Sequence, residues 1–411
     1  MSNCFFSKTK SFIILTALFL CLPILFGCVS EVTSDSYYSS LDSTASSKEE
    51  NNPQPDVSIA RVMAVGDNLI HNVIYQQAQK RATGEKKYDF SYVYKEIKPM
   101  IQKADVAFIN QETVLASRYF EPSNFPRFCT PEEMGDCLLD VGFNVFNHAN
   151  NHTLDKGQKG IQGTLEYWDT KTDEDICVIG MYKDDTDLYS CKYIEKNGIK
   201  IGFFAITEHT NGIGVPKDMT ERVIYTTQED IIKRCIDIMK RECDAVIVSV
   251  HWGNENYSER TVTPLTDAQK NFSQKLADWG VDVIIGTHPH VIQPMKWINR
   301  ADGGRTFCVY SLGNFVSAMN GPCNMLGGLV DFDIVKNNTT SEITIENIAY
   351  LPLVTHYGRG MSNVKIYLLK NYTDHLATSH GVKYKTYSGF SLEYLNKVVT
   401  DNIEEEYLIE K

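Results

Sequence analysis

The segment "VGFNVFNHANNHTLDKG", Val141 to Gly157, joins an apolar run of strand length to a dense group of polar side chains. From Asn147 to Gly157 the chain carries three Asn, two His and one Asp. Such a group is too polar for a core, because buried polar atoms need hydrogen-bond partners. These side chains therefore either shape a turn through their own backbone or hold a ligand at the end of a strand.

Apolar runs that end in polar groups recur along the chain. They are "ARVMAVGD", "DVAFINQE", "FNVFNHANNH", "DAVIVSVHWG", "VDVIIGTHPH" and "TFCVYSLGNF". Segments with helical spacing lie between them, namely "DFSYVYKEIKPMIQKA", "PEEMGDCLLDVG" and "TDAQKNFSQKLADWG"; in the last, Thr266 is a candidate N-cap and Gly280 a stop. Continuously apolar strands that alternate with helices predict an α/β fold whose sheet is buried on both faces.

The composition limits the partners of the chain. Its 411 residues are 43% hydrophobic and 22% charged, which suits a folded chain, and its formal net charge is -12. An acidic chain lacks the positive surface that binds nucleic acid phosphates, so no nucleic acid partner is expected. If the substrate is itself acidic, a local positive charge or a metal ion must offset the repulsion.

The N-terminus is expected to be a targeting segment outside the fold. Lys8 and Lys10 precede the apolar stretch "SFIILTALFLCLPILFG", and Cys28 follows it, so residues 1–28 indicate a signal peptide whose end resembles a bacterial lipobox. Ordinary signal cleavage and a retained anchor are the alternatives. Residues 29–57 are rich in Ser, Asp and Glu and predict a disordered polar linker. This pattern favours attachment to the outer face of a bacterial cell membrane, by a lipid or by the signal segment.

The chain contains eleven Cys but no CxxC pair and no zinc-finger spacing. Cys129 with Cys137, or Cys235 with Cys243, are candidate disulfides in an oxidising compartment. Scattered buried thiols are the alternative, and the sequence does not decide between them.

The polar strand ends have the composition of a metal site. The candidates are Asp67, Asn110, Glu112, Asn151, His152, His251, His288 and His290. A single His at a strand end is usually only hydrogen-bonded, but carboxylates, Asn and several His at equivalent ends indicate zinc, manganese or iron. His209 fits this pattern less well. The remaining histidines of the mature chain are expected to be structural or exposed, with His71 set apart as a possible ligand: His148, His356, His375 and His380.

Six motifs occur in a fixed order: "VGDNLIH", "FINQET", "NNHTLDKG", "VHWGNENY", "GTHPHVIQ" and "YSLGNF". Together they closely resemble the CapA/PgsA family of capsule biosynthesis proteins, which is associated with poly-γ-glutamate and related to calcineurin-like metallophosphoesterases. The resemblance implies a four-layer α/β/β/α sandwich. It spans residues 59–316, and strands after 327 are expected to complete a domain of residues 58–370, followed by a C-terminal extension of residues 371–411.

The resemblance also implies roles for the candidate residues. Asp67 and His290 would bind a first metal, and Glu112 would bridge two metals. Asn151, His251 and His288 would bind the second metal. His152 would approach the leaving group, and Asp155 would orient His152 through a hydrogen bond.

One position departs from the phosphoesterase pattern. Leu69 stands where those enzymes have the His of an Asp-x-His motif. His71 takes its place if the turn after Asp67 is helical, since positions i and i+4 then share a face. The sequence thus leaves open whether one or two divalent ions bind.

Two classes of function follow. The first is a metal-dependent hydrolase or transferase of the metallophosphoesterase type, with a phosphorylated substrate or an anionic polymer such as polyglutamate; a peptidase for γ-glutamyl bonds is a variant of it. The second is a non-catalytic accessory protein that binds the polymer or the capsule synthesis machinery in the membrane. A complete metal set favours the first class, and Leu69 favours the second.

Overall fold

Two β-sheets form the centre of the molecule, in a computed structural model that describes residues 56–172, 174–256 and 260–408. The predicted signal peptide, Cys28 and nearly all of the predicted linker lie outside the described residues. Within the described ranges, none of the helices has the length and apolar character needed to cross a membrane.

The first sheet has eight strands in the described residues, and it holds the first four strands of the chain. They are β1 (Val57–Asn68), β2 (Val106–Gln111), β3 (Val145–Asn147), β4 (Cys177–Ile179), β11 (Asn314–Val316), β12 (Leu326–Asn337), β13 (Ile343–Gly358) and β14 (Ser362–Leu368). The spatial order is β14-β13-β12-β1-β2-β3-β4, and β11 also pairs with β1. Strands β1 to β4 run parallel, whereas β12, β13 and β14 are antiparallel additions.

The second sheet has six strands in the described residues. They are β5 (Tyr193–Lys196), β6 (Ile199–Thr207), β7 (Ala245–His251), β8 (Val283–Thr287), β9 (Ile292–Asn299) and β10 (Arg305–Leu312). The order is β5-β6-β7-β8-β10-β9, with β6, β7, β8 and β10 parallel. Both sheets therefore have parallel central strands whose carboxyl ends can carry a site.

Helices connect the strands and cover the sheets. They are α1 (Asn72–Arg81), α2 (Ser91–Tyr94), α3 (Lys98–Ile101), α4 (Glu133–Val141), α5 (Gly157–Asp169), α6 (Asp185–Leu188), α7 (Glu229–Glu242), α8 (Asp267–Asp278), α9 (Asp374–Ser379), α10 (Gly381–Lys385) and α11 (Leu392–Asn402). Thr266 caps α8 through a capping box with Gln269, as its sequence predicts. Gly142 ends α4 with φ 115°, a left-handed conformation that glycine adopts most easily.

The two sheets pack face to face with helices outside. In β6, Ile201 and Phe203 belong to the core that the two sheets share, whereas Phe204 and Ile206 point to the other face. There they pack with residues of α7 and α8. This alternation follows from the period of two in a strand, and it gives the α/β/β/α sandwich that the family resemblance implies.

The C-terminal helices pack on the same core as the sheets. Val382 of α10, Leu395 of α11 and Phe390, which lies between these helices, are buried in the cluster that contains the strands of the first sheet. Residues 371–408 are thus held by apolar contacts with the sandwich.

Two predicted elements differ in the structure. The helix expected in "DFSYVYKEIKPMIQKA" is broken into α2 and α3, because Pro99 has no N–H and its ring excludes the preceding turn of a continuous helix. The third strand is shorter than expected, since it is confined to Val145–Asn147. The polar residues after Asn147 instead form a series of turns that leads into α5.

Candidate metal centre

The carboxyl ends of four strands, β1, β2, β7 and β8, meet at one edge of the sandwich. Asp67 lies at the end of β1, Glu112 directly follows β2, and His251 ends β7. All three side chains are almost completely buried. Gly66 makes the position of Asp67 possible, because a Cβ at Gly66 would lie 1.9 Å from the carbonyl oxygen of Gly313.

His288 and His290 reach the same edge from the loop after β8. Their backbones are not extended, because His288 has φ 100° and His290 has φ 58°. Both imidazole rings nevertheless face the strand ends, with ring centroids 6.1 Å apart. Non-glycine residues in this region of φ cost about 1–3 kcal/mol each, and such strain is most common at functional sites.

Asp67, Glu112 and His290 form the tightest group of potential metal ligands in the described residues. One ligand atom from each lies within 4.8 Å of the others. His290 Nδ1 donates to Asp67 Oδ2 at 3.0 Å, and His290 Nε2 lies 3.6 Å from Glu112 Oε1. Neither carboxylate oxygen of Glu112 has a hydrogen-bond partner in the part of the chain that the structure describes. A buried carboxylate without donors needs a cation, so these residues fit a divalent metal ion.

The electrostatics of the centre are consistent with this fit. Burial raises the pKa of Glu112 well above its usual range, although the charge of His290 opposes the shift. Burial alone would lower the pKa of His290, but Glu112 and the hydrogen bond to Asp67 raise it to about 10. The two carboxylates thus favour the protonated form of His290. A metal ion between these groups would supply that positive charge instead, since imidazole binds metals in its neutral form.

A second group of side chains lies beside the first. His251 Nε2 is 3.0 Å from Asn151 Oδ1, 3.0 Å from His288 Nδ1 and 3.7 Å from Glu112 Oε1. Burial lowers the pKa of both His251 and His288 well below the usual value, and the neighbouring imidazoles lower it further. Both rings are therefore neutral, which is the form that binds a metal. The structure brings Asn151, His251, His288 and Glu112 together, and their role as ligands of a second ion stays a prediction.

His152 and Asp155 form a hydrogen-bonded pair at the border of the centre. His152 Nδ1 donates to Asp155 Oδ2 at 2.8 Å, and the same oxygen accepts the backbone N–H of Phe128 at 2.6 Å. The His152 ring also packs edge-on against the Phe128 ring, with centroids 4.7 Å apart. These contacts fix the ring and assign the Nδ1–H tautomer, so Nε2 is the nitrogen that is left to accept or deliver a proton.

A chain of hydrogen bonds between side-chain amides ends at the carboxylate of Asp67. Asn110 Nδ2 donates to Asp67 Oδ1 at 2.8 Å, and Asn147 Nδ2 donates to Asn110 Oδ1 at 2.9 Å. Asn147 Oδ1 in turn accepts the backbone N–H of Ala149 at 2.8 Å. Asn110 therefore contacts the candidate ligand Asp67 directly and orients its carboxylate.

The helical turn that would place His71 on the same face as Asp67 is absent. Strand β1 continues to Asn68, and His71 has the extended conformation of an N-cap before α1. His71 Nδ1 accepts the N–H of Ala318 at 3.2 Å, and this ring is outside the Asp67–Glu112–His290 group. Leu69, at the position of the phosphoesterase His, is buried. The condition under which His71 replaces that His is thus not met.

Sequence reasoning missed one acidic residue of the site. Glu255 Oε1 accepts Asn151 Nδ2 at 3.0 Å and lies 4.0 Å from His288 Nδ1. The sequence feature that could have identified Glu255 is its place in "VHWGNENY", four residues after the strand-end His251. His209 also comes close, with its ring centroid 5.0 Å from that of His288.

The other histidines lie away from the centre. The Trp168 Nε1–H donates to His148 Nε2 at 2.8 Å, which is a structural contact. His356 and His380 are buried against each other and against neighbouring aromatic rings, and His375 is exposed. Among the cysteines, the spatial neighbour of Cys243 is Cys191, whose Sγ is 3.2 Å from the Cys243 Sγ, rather than Cys235.

The chain is similar to proteins of capsule synthesis. It is 27% identical to the PGA biosynthesis protein CapA of Bacillus subtilis (strain 168) over 274 residues, 66% of this chain and 68% of that protein. It is 25% identical to the capsule biosynthesis protein CapA of Bacillus anthracis over 260 residues, 62% of this chain and 60% of that protein.

A solved structure of a novel phosphatase from Mycoplasma pneumoniae is 14% identical, with a TM-score of 0.42, and the match covers 72% of this chain and 94% of that one. The family described as "Bacterial capsule synthesis protein PGA_cap" matches residues 61–319, which include every residue of the candidate metal centre. Since these residues are more than half of the sequence, the chain belongs to the PGA_cap family of bacterial capsule synthesis proteins.

Proposed function

We propose that this chain is a metal-dependent hydrolase or transferase of the phosphoesterase type that acts in capsule or poly-γ-glutamate synthesis. The observation that carries the proposal is Glu112. Its carboxylate is fully buried and has no hydrogen-bond donor in the described residues, yet it lies within reach of Asp67, His290 and His251. An arrangement of this kind is costly unless a cation occupies it, and costly arrangements are typical of functional sites.

Asp67, Glu112 and His290 would hold the ion, and Asn151, His251 and His288 beside them would hold a second ion. When bound, manganese, zinc or iron supplies Lewis-acid polarisation and neutralises the charge of a phosphoryl or acyl centre. The same positive charge offsets the repulsion between an anionic substrate and a chain of net charge -12.

The proposed proton donor to the leaving group is His152. Asp155 holds the proton on Nδ1, so Nε2 is the atom that is left to exchange protons. As an imidazolium, His152 would donate from Nε2 to the leaving-group oxygen, and Asp155 would stabilise the charged ring without taking the proton. His152 is not needed to hold metal, which separates its role from that of His288.

This separation gives the test. His152→Ala should retain bound metal and melting temperature while turnover falls by about two to four orders of magnitude. His288→Ala should lose metal and the stability that metal confers. The exposed His375 provides the matched control. His375→Ala should leave bound metal, melting temperature and turnover unchanged.

The assays are metal content, thermal melting and turnover of phosphomonoesters, phosphodiesters and γ-glutamyl peptides, together with complementation of a capsule-deficient strain. Full complementation by a folded, metal-loaded His152→Ala protein would exclude the catalytic proposal. A destabilised His152→Ala protein would instead indicate a structural hydrogen bond, worth on the order of 1–3 kcal/mol.

The second candidate is an accessory protein that binds the polymer or the synthesis machinery in the membrane without chemistry. Leu69 favours it, because an apolar side chain occupies the place of a phosphoesterase His. The direct contacts of His251 with Asn151 and His288 favour it too, since these side chains already satisfy one another. This candidate predicts that complementation tolerates His152→Ala.

The proposal places the protein on the extracytoplasmic face of the bacterial cell membrane, held through Cys28 or through an uncleaved signal segment. Its support is the apolar segment that ends in "LFGC" and the polar residues after it. Cys28→Ser should release the protein from the membrane fraction. If the variant is still membrane-bound after its N-terminal segment has been cleaved, lipid attachment is not the anchor.

A further inference from the structure

A positively charged surface borders the opening of the metal centre. The pocket beside the centre has a volume of about 350 Å³, and its lining includes His290, Asn320 and Met361. The Thr386 hydroxyl donates to the backbone carbonyl of Asn320 at 2.6 Å, and Met361 ends a short 3₁₀ turn that begins at Arg359. The wall of the pocket thus continues onto residues 359–386, which lie outside the region that matches the PGA_cap family.

The charge of this part of the chain is opposite to that of the whole. Residues 359–391 contain five Lys or Arg and one Asp, in a chain whose formal net charge is -12. One of the five, Lys365, is already paired with Glu96. Because the rest of the chain repels anions, a local excess of cations is the place where an anionic partner is attracted.

Three of these cations surround one exposed aromatic ring. Tyr384 of α10 has 61% of its surface exposed, and Lys383 and Lys385 flank it in sequence. The guanidinium carbon of Arg359 lies 5.7 Å from the centroid of the Tyr384 ring. The ring therefore helps to hold a guanidinium at the surface, and its exposed part offers an apolar face to a ligand.

A fourth cation extends this surface along the same side. The guanidinium carbon of Arg260 lies 4.7 Å from the centroid of Tyr387, and the Tyr394 hydroxyl donates to the Arg260 backbone carbonyl at 2.9 Å. A guanidinium that lies over a ring keeps the N–H groups in its own plane available to a carboxylate. The four cations are named the basic rim: Arg260, Arg359, Lys383 and Lys385.

The charges of the basic rim are not neutralised within the protein. In the described residues none of its four members forms an ion pair, in contrast to Lys365. The nearest acids along the chain, Asp374 and Glu393, form no ion pair with the rim either. Glu255 lines the neighbouring pocket, where the metal ion proposed for the centre would offset its charge.

From this arrangement we propose that the basic rim binds a flexible polymer whose repeat unit carries a carboxylate, and that it leads this polymer to the pocket beside the metal centre. The carboxylate as the anionic group rests on the proposed function, which assigns the chain to capsule or poly-γ-glutamate synthesis. Binding at the rim needs no turnover. A rim that continues into a pocket favours a chain that can enter it over a flat anionic membrane surface.

The test measures binding of a short γ-linked glutamate oligomer with a fluorescent label. Fluorescence anisotropy is recorded with the full chain, in a non-ionic detergent and after chelation, so that no bound metal ion contributes. The oligomer should bind, and its affinity should fall as the salt concentration rises. The same oligomer with its carboxylates converted to primary amides should bind on the order of tenfold more weakly or less tightly still.

A double variant locates the site. Arg359→Glu with Lys385→Glu reverses two exposed charges beside Tyr384 and should lower the affinity for the oligomer by about tenfold or more. The control is Lys103→Glu with Lys240→Glu, which changes the net charge equally. Both control lysines are exposed and follow or end helices that lead into β2 and β7, so they lie at the edge opposite the metal centre. The control should keep the affinity of the wild type, and thermal melting checks that each variant is folded.

Equal losses in the two double variants would overturn the proposal, because net charge rather than a site would then explain binding. So would unchanged binding by the rim variant, or absence of binding to the wild type. Vesicles of phosphatidylglycerol and phosphatidylcholine are titrated in parallel. If the rim variant loses binding to these vesicles but not to the oligomer, the surface is a membrane contact and the proposal is wrong. Failure of the proposed function has a different signature: the oligomer would bind through the rim, but no substrate would be turned over.

Discussion

Replacing Glu112 with Gln should have opposite effects on stability with and without metal. The substitution keeps the shape of the side chain and removes one negative charge. In the metal-free protein that charge is buried, its two oxygens have no donor in the described residues, and burial raises its pKa. Neutralising it should therefore stabilise the metal-free fold, while the loss of a ligand should weaken metal binding.

The magnitudes follow from the contacts. An unsatisfied buried polar group costs about 1–3 kcal/mol, and a charged one costs more. We expect Glu112→Gln to recover about 1–3 kcal/mol without metal, because His290 keeps its hydrogen bond to Asp67. At a metal concentration one hundred times Kd, the wild type gains about 2.7 kcal/mol, and the variant gains little. For a chain of this length, one kcal/mol shifts Tm by about 1–2 °C.

The assay is thermal melting after chelation and again with Mn²⁺ or Zn²⁺, with metal content measured on the same samples. Glu221→Gln is the matched control. Glu221 is also buried, but its two oxygens accept hydrogen bonds from Gln158 and Gln162 at 2.8 and 2.7 Å. Its substitution should lower stability by about 1 kcal/mol and leave the response to metal unchanged.

One result would refute the reasoning about Glu112. If Glu112→Gln lowers the metal-free Tm as Glu221→Gln does, the carboxylate is satisfied in solution without a cation. If the wild type also melts at the same temperature with and without metal, Asp67, Glu112 and His290 do not form a metal site.

Two further predictions concern stability and oxidation. Burial lowers the pKa of His148 and of His380 to about 3 each. The stability that these neutral rings contribute is therefore fully present above the pKa of the unfolded state, about 6.5, and is lost as pH falls towards 3. Denaturant unfolding should lose about 1.4 kcal/mol per pH unit for each of these histidines below pH 6, and a flat profile between pH 7 and 5 would contradict this. Oxidised glutathione should convert Cys191 and Cys243 to a disulfide by thiol–disulfide exchange, in which its own disulfide is reduced to two thiols. This bond should add about 4 kcal/mol by closing a loop between positions 52 residues apart, and two thiols that still react with an alkylating agent after oxidation would exclude it.

Short-range sequence patterns predict the central strands of the sandwich. The strands that carry Asp67, Glu112 and His251 are continuous apolar runs, so their existence and their polar ends can be found without a partner strand. The same holds for the Thr266 cap of α8, because it depends only on neighbours within a few residues.

Features that depend on distant residues were not predictable in this way. The positive φ values of His288 and His290 are held by contacts with Asp67, which is more than two hundred residues away in sequence. Glu255 faces the centre because its loop folds back towards Asn151. The Cys191–Cys243 contact joins the start of β5 to the end of α7, and a count of cysteines cannot identify such a pair.

The amide chain behind Asp67 has a consequence for the range of conditions in which the centre keeps its shape. Side-chain amides have no ionisable group, so the hydrogen bonds from Asn147 to Asn110 and from Asn110 to Asp67 keep their direction at any pH at which the protein is folded. A His or a carboxylate in place of Asn110 would reverse its donor and acceptor roles when it titrates. The support of Asp67 is thus insensitive to acid, and changes of pH reach the candidate metal centre through its titratable side chains instead.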